Sequence, residues 1–266
     1  MNNIFNKKYN KYWKERVLSS SDGSKVPESE VFGTLIHEMD IKKSDKVLDL
    51  GCGDGRNFNE INKYSNLVFG IDIDISMIED AAKYKYQSLH AAKAEGTYFP
   101  RNYFDKILAL GVFDVVEQEQ AVMELNRILK IGGVCGFTGK NTNYLDDDVK
   151  AFIAERNAKL KDFPNHFTDL KKFTEKIIKY GFKVQKLFIC KKRGDFGIGN
   201  IIEVDQLEDQ KFYEYFIVLS KVASIQSLPK NTFASEFSKT AIKKFNKSKD
   251  DDILSFFRNN KKESIK

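Results

Sequence analysis

The stretch Val47-Leu48-Asp49-Leu50-Gly51-Cys52-Gly53-Asp54-Gly55-Arg56-Asn57 sets three glycines in five positions directly after an apolar run. A short apolar run ended by glycine reads as a buried strand. A glycine loop between strand and helix brings bare backbone N–H groups up to a ligand, at the positive end of the helix dipole. The stretch therefore predicts strand, loop and helix, with a nucleotide held at the turn. Spacing narrows which nucleotide. The dinucleotide fingerprint G-x-G-x-x-G needs a glycine at position 56, where this chain has Arg56, and its third glycine comes one place early at Gly55. No G-x-x-x-x-G-K-[ST] phosphate loop follows. Asp49 and Asp54 make the loop a poor seat for a pyrophosphate and a good one for a ligand carrying an amino group. Asp72, at the end of the next apolar run, is placed to accept both hydroxyls of a ribose.

Outward from this point the chain alternates helical and strand-like segments. Val31, Leu35 and Met39 lie at helical spacing ahead of the first strand, Lys46–Leu50. A helix is expected from the glycine loop to about Tyr64, and a second buried strand over Leu67–Asp72. A helix capped by Ser76 then runs to Tyr84, and a third strand falls around 87–94. Phe104–Gly111 reads as a fourth strand. Val122, Leu125 and Leu129 share one helix face, with Gly132 and Gly133 as its stop. Val134–Gly139 is a fifth strand. Residues 142–166 hold an amphipathic piece, and residues 169–182 form a helix entered through a Thr168 cap and stopped by glycine. Phe182–Cys190 and Lys211–Ser220 are two late strands. The repeated strand–helix order implies a mostly parallel sheet with helices on both faces, a doubly wound three-layer α/β/α arrangement.

Bulk properties limit the function classes. The chain has 266 residues, 41% hydrophobic and 31% charged, with a formal charge of +6. Residues 226–266 hold ten Lys/Arg against five acids, so five of those positive charges sit in a basic C-terminal tail. A nearly neutral body argues against nucleic acid as the partner. No [DNS]-P-P-[YFW] motif occurs, and none of Pro27, Pro100, Pro164 and Pro229 precedes a cysteine. No run reaches the ~18 apolar residues of a membrane helix, and the N-terminus lacks the apolar region of a signal peptide. Cys52, Cys135 and Cys190 show neither metal-ligand nor disulfide spacing, which fits a reducing, cytoplasmic setting.

Four ordered motifs carry a resemblance. They are V-L-D-L-G-C-G-D-G at 47–55, G-I-D-I-D-I-S-M-I at 70–78, F-D-K-I-L-A-L-G-V-F at 104–113 and E-L-N-R-I-L-K-I-G-G at 124–133. Together they resemble the class I, Rossmann-like S-adenosylmethionine-dependent methyltransferases, closely over 40–140 and in layout only over 168–221. The resemblance implies a seven-stranded sheet whose last strand is antiparallel, with the cofactor across the carboxyl ends of the strands. It also implies that Gly51, Cys52 and Gly53 meet the methionine part and that Asp49 helps place its amino group. Asp72 would take the ribose, Ile73 and Met77 would flank the adenine, Ala94 and Glu95 would meet the adenine edge, and Leu110 and Gly111 would line the sulfonium region. Trp13, with Tyr12 and Arg16, resembles the N-terminal segment that covers the cofactor in this family; a core anchor is the other reading. Two departures stand out. Lys93 replaces the acid usual before Ala94, and Val115 occupies the place where many relatives put a histidine after the fourth strand.

Methyl transfer from a sulfonium is an in-line displacement, so the protein supplies alignment and, for a hydroxyl acceptor, a base. His37 and His90 read as structural. His166, in F-P-N-H-F-T, stands either near the acceptor or at a helix entry. Asp114 and Glu117 follow the fourth strand as candidate bases or solvated loop acids. Lys140, Asn141 and Tyr144 face the same crevice after the fifth. Lys191, Lys192 and Arg193 form either a grip for an anionic acceptor or a solvated charge run.

The domain reading is a covering segment 1–30, a methyltransferase domain 31–225 with insertions at about 142–167 and 192–210, and the tail. The expected reaction is methyl transfer from S-adenosylmethionine to an oxygen or nitrogen of a small molecule, such as a sugar or phosphorylated precursor of a bacterial surface glycan. An RNA methyltransferase using the tail and a non-catalytic cofactor-binding module are the alternatives.

Overall fold

The strand that opens the glycine loop is the hub of the fold. In the computed structural model, which describes residues 30–160 and 164–227, β1 (Lys46–Leu50) lies between β2 (Leu67–Asp72) and β4 (Phe104–Ala109), parallel to both. Successive strand residues point to opposite faces. Leu48 and Ile107 accordingly enter one apolar layer with Val122, Leu125 and Phe173, whereas Val47 and Leu108 enter the other with Leu35, Ile36, Phe58 and Phe216. Strands covered on both faces need continuous apolar runs, and V-L-D-L, L-V-F-G-I and I-L-A supply them.

The helices that cover the two faces come from the segments between strands. They are α1 (Glu30–Glu38), α2 (Phe58–Asn62), α3 (Ile75–Ala81), α4 (Gln118–Ile128), α5 (Val149–Leu160) and α6 (Leu170–Lys176). The remaining strands are β3 (Ser88–Ala91), β5 (Leu129–Asn141), β6 (Phe167–Thr168), β7 (Phe182–Cys190), β8 (Ile202–Glu203) and β9 (Glu214–Lys221). The sheet runs β3-β2-β1-β4-β5-β9-β7-β8, with β6 paired to β5. β9 is antiparallel to both β5 and β7. Seven long strands with the last one antiparallel are as expected. The two-residue strands β6 and β8 extend the sheet to nine, each belonging to one of the two insertions. Among the described residues no helix is long and apolar enough to cross a membrane. Trp13, Tyr12, Arg16 and the basic tail from residue 228 lie outside the described residues.

Three local expectations are corrected. The third helix is capped by Asp74, whose Oδ1 accepts from Ser76 N at 2.9 Å and Ser76 Oγ at 2.8 Å; Ser76 is a donor inside the first turn. The helix before the sixth long strand is capped by Asp169, accepting from Lys172 N at 3.2 Å, because Thr168 is already committed to β6 and to Tyr215 Oη at 2.8 Å. Gly132 and Gly133 do not stop α4, which ends at Ile128. They lie inside β5, where a Cβ on Gly133 would come within 3.0 Å of Asp105 O on the neighbouring strand.

Before α5, three consecutive acids reach across to the second insertion. Asp146 pairs with Lys211 at 2.7 Å and Asp147 with Lys192 at 2.8 Å. Asp148 accepts from Arg193 N at 2.7 Å through one oxygen and from Ala151 N at 3.0 Å through the other. It thus caps α5 and latches the two insertions together.

Candidate active site

A cleft of about 300 Å³ opens at the carboxyl ends of β1, β2 and β4, the end at which open α/β sheets bind ligands. One wall is the glycine loop. Gly51 N and Cys52 N both donate to Ile71 O at 2.8 Å, which turns the chain sharply as it leaves β1. Gly51 has φ +74°, and a Cβ there would reach Val112 Cγ2 at 2.3 Å, so the position tolerates no side chain. Gly55, the early third glycine, packs instead against Tyr84, 2.5 Å from where its Cβ would sit. Its place in the spacing serves packing against the end of α3. The helix after the loop has only five residues. Backbone amides and Asp72 therefore build the cradle rather than a long helix dipole.

Asp72 lines the cleft and fixes the loop. Its Oδ2 accepts from Gly53 N at 3.0 Å and its Oδ1 from Asp74 N at 2.9 Å. Burial pushes its carboxyl above the usual carboxylate range, and these backbone N–H groups oppose that. Each oxygen keeps a lone pair for a further donor, which matches the paired hydroxyls of a ribose. Among the described residues, chain neighbours apart, no atom lies within 4 Å of where a Cβ on Gly53 or on Gly111 would project, so both backbones face open space there. The residues present thus fit a nucleoside carrying an amino-acid arm. Ile73, Met77, Ala94, Glu95 and Leu110 line the same cleft. Glu95 Oε1 accepts from Glu117 N at 2.8 Å and ties the loop after β3 to the loop after β4. Gly111 N donates to Thr138 Oγ at 2.8 Å.

Asp49 and Cys52 stand behind the loop rather than on the cleft. Asp49 is fully buried, accepts from Tyr86 Oη at 2.9 Å, and is pushed by desolvation to about 6. Burial likewise pushes the Cys52 thiol up, so it is an inert packing group beneath Gly53.

The three proposed catalytic residues separate. His166 lines the cleft. Its N–H donates to Asp114 O at 2.7 Å, and Gln118 Nε2 reaches both Phe113 O at 3.0 Å and His166 O at 3.4 Å. Asp114 does not line the cleft. Its carboxylate forms an ion pair with Lys140, whose ammonium also donates to Asn165 Oδ1 at 2.8 Å, so the side chain is spent on holding the 165–166 segment. Tyr144 is 1% exposed, sits in a cluster with Ala151, Phe167 and Tyr213 beneath α5, and does not line the cleft. The cationic run 191–193 does not form a joint grip either: Lys191 is exposed, Lys192 is paired with Asp147, and Arg193 turns inward. Sequence reasoning passed over Arg56, Val112, Val116 and Pro164, all of which line the cleft. Val112 had no local signal, because its role is to fill the space left by Gly51 in a loop distant in sequence.

Residues 48–137 match the family model described as a methyltransferase domain. Those residues carry a methyltransferase domain, on the doubly wound α/β fold described above. The cofactor of such methyltransferase domains is S-adenosylmethionine. An uncharacterised protein of Methanocaldococcus jannaschii is 27% identical over 157 residues, which cover 59% of this chain and 57% of that protein. A sterol 24-C-methyltransferase of Aspergillus fumigatus is 35% identical over 111 residues, 38% of this chain and 29% of the enzyme. The chain therefore spans little more than half, or less, of the length of these relatives. A solved structure from Thermotoga maritima, described as a methyltransferase and possible histamine N-methyltransferase, superposes with a TM-score of 0.59. It covers 81% of this chain and 98% of the other at 17% identity, which establishes a shared fold.

Proposed function

We propose that the protein transfers the methyl group of S-adenosylmethionine to an oxygen or nitrogen of a small-molecule acceptor. The observation that carries this reading is that Asp72, Gly53, Gly111 and His166 line one cleft. When bound, the cofactor supplies an electrophilic methyl on a sulfonium. Asp72 accepts its ribose hydroxyls, Gly51 and Gly53 admit its methionine arm, and Ile73 and Met77 flank its adenine. The loop after β4 presents Leu110 and Gly111 at the methyl end. There His166, with Val112, Val115 and Pro164 beside it, aligns the acceptor and takes the proton of an attacking hydroxyl, or the proton of an ammonium so that the freed amine attacks. The domain that does this comprises residues 31–225.

The relatives differ in what their names say they methylate, a sterol in one case and a histamine in the other. The strand ends that hold the cofactor are the part such relatives have in common, and on this reading acceptor choice falls to the insertions. A sugar or other small precursor stays within this reading. A phosphorylated one loses the support of Lys192, whose ammonium is engaged by Asp147.

Calorimetry with S-adenosylhomocysteine tests the cofactor site, and a screen of candidate acceptors for its release tests the reaction. Failure of the wild-type protein to bind S-adenosylhomocysteine would sink the proposal. Binding without turnover on any acceptor would favour a binding module. Tight, salt-sensitive RNA binding lost on deleting residues 226–266 would favour an RNA substrate.

A further inference from the structure

The run Lys191-Lys192-Arg193 does not act as a unit, and the part that turns inward has the more specific chemistry. Arg193 follows β7, at the same carboxyl edge as Lys140 at the end of β5 and Tyr213 just before β9. Its guanidinium lies over the Tyr213 ring, 5.6 Å from the centroid, and Nη1 donates to Tyr213 Oη at 2.8 Å. Its backbone N–H is fixed on Asp148, so the residue is held at both ends. Among the described residues the guanidinium makes no other hydrogen bond and no ion pair. A half-buried guanidinium with one of its donors used is an expensive way to hold a tyrosine hydroxyl, which a neutral amide would hold as well. The remaining fork matches a carboxylate.

We propose that Arg193 is a specificity residue that binds a carboxylate on the methyl acceptor. The inference rests on the methyl-transfer reading above and names its substrate class. Tyr213 leads into β9, two strands along the sheet from β4, whose end carries Gly111. At about 4.8 Å per strand, the guanidinium stands on the order of 10 Å from the methyl end of the cleft. The acceptor is therefore a monoanion whose carboxylate lies about that far from the methylated atom.

The full-length protein labelled with ¹⁵N-arginine gives a direct test. With S-adenosylhomocysteine present, sodium benzoate is titrated while the Nε–Hε signal of Arg193, assigned by its loss in Arg193→Lys, is followed. The expected result is a saturable shift in the millimolar range. Calorimetry should show benzoate binding abolished in Arg193→Gln and weakened in Arg193→Lys, with S-adenosylhomocysteine affinity within about twofold of wild type in both. An unmoved Arg193 signal, benzoate binding that persists in Arg193→Gln, or inorganic phosphate binding in benzoate's place overturns the proposal. A second arm compares carboxylic acids with their amides in the acceptor screen. Acids should be preferred at least about tenfold by the wild type and not by Arg193→Gln; a preference for amides overturns the assignment. If S-adenosylhomocysteine fails to bind the wild-type protein, the methyltransferase reading falls, while the benzoate titration without it still decides what Arg193 binds.

Discussion

Asp72 and Asp49 are two acids in one loop region with different tasks, set by what surrounds them. Asp72 spends one lone pair per oxygen on Gly53 and Asp74 and keeps the others for a ligand. Two charge-assisted hydrogen bonds to a ribose are worth about 3 kcal/mol together. Asp72→Ala should therefore weaken S-adenosylhomocysteine binding by roughly 100-fold in calorimetry, and an unchanged affinity would refute the ribose assignment. Asp49 is held near 6 by burial, with Tyr86 and Asn57 opposing. The folded protein thus binds the Asp49 proton more tightly than the unfolded chain does. Its contribution to stability is full below about pH 3.8 and is lost as pH rises through about 6. A cofactor ammonium beside the loop favours the ionised carboxylate and reverses this penalty. The rise in Tm on adding S-adenosylhomocysteine should then be larger at pH 7.5 than at pH 5, and Asp49→Asn should flatten that difference. Equal increments at both pH values would show that Asp49 does not sense the ligand.

At the scale of elements, the glycine loop and the loop after β4 are mutually fitted. Gly51→Ala drives a methyl into Val112 Cγ2 at 2.3 Å and strains a backbone at φ +74°. It should abolish measurable cofactor binding, and Gly51→Ala with Val112→Ala should recover part of the lost Tm but not the φ penalty. A double variant no more stable than the single one would place the strain wholly in the backbone. The same pair shows what the sequence makes legible. The bounds of β1 and β2 were readable because apolar runs meet glycine or aspartate at their ends. The cleft-lining residues Gly51, Gly53 and Asp72 were readable because they sit at or just past those ends. The Gly51–Val112 fit, the Asp114–Lys140–Asn165 tie and the burial of Tyr144 under α5 join segments distant in sequence, and only the order of strands brings them together. Helix caps failed for a smaller reason. Where Asp and Ser or Thr lie within two residues, the cap goes to whichever side chain the preceding strand leaves free.

For the whole molecule, two apolar layers alternate residue by residue along β1, so single truncations there are felt on one face only. Leu48→Ala should cost about 2–5 kcal/mol by urea denaturation, against less than about 0.5 kcal/mol for Ile131→Ala, which is 64% exposed. Comparable losses at both positions would contradict the layer assignment. Beyond those layers, the latch formed by Asp146, Asp147 and Asp148 gives the molecule a seam. Its two ion pairs and one backbone contact join the insertions to each other. The cleft lies at the ends of β1, β2 and β4, and Pro164 and His166 line it as well. The insertions are therefore one transplantable module. Moving both together, with the residues that follow through Tyr213, into another protein of this fold carries Arg193, Tyr213 and the α5 cap intact. Moving either alone strands three acids opposite nothing, so chimeras and natural recombination alike should respect the pair as a unit of inheritance.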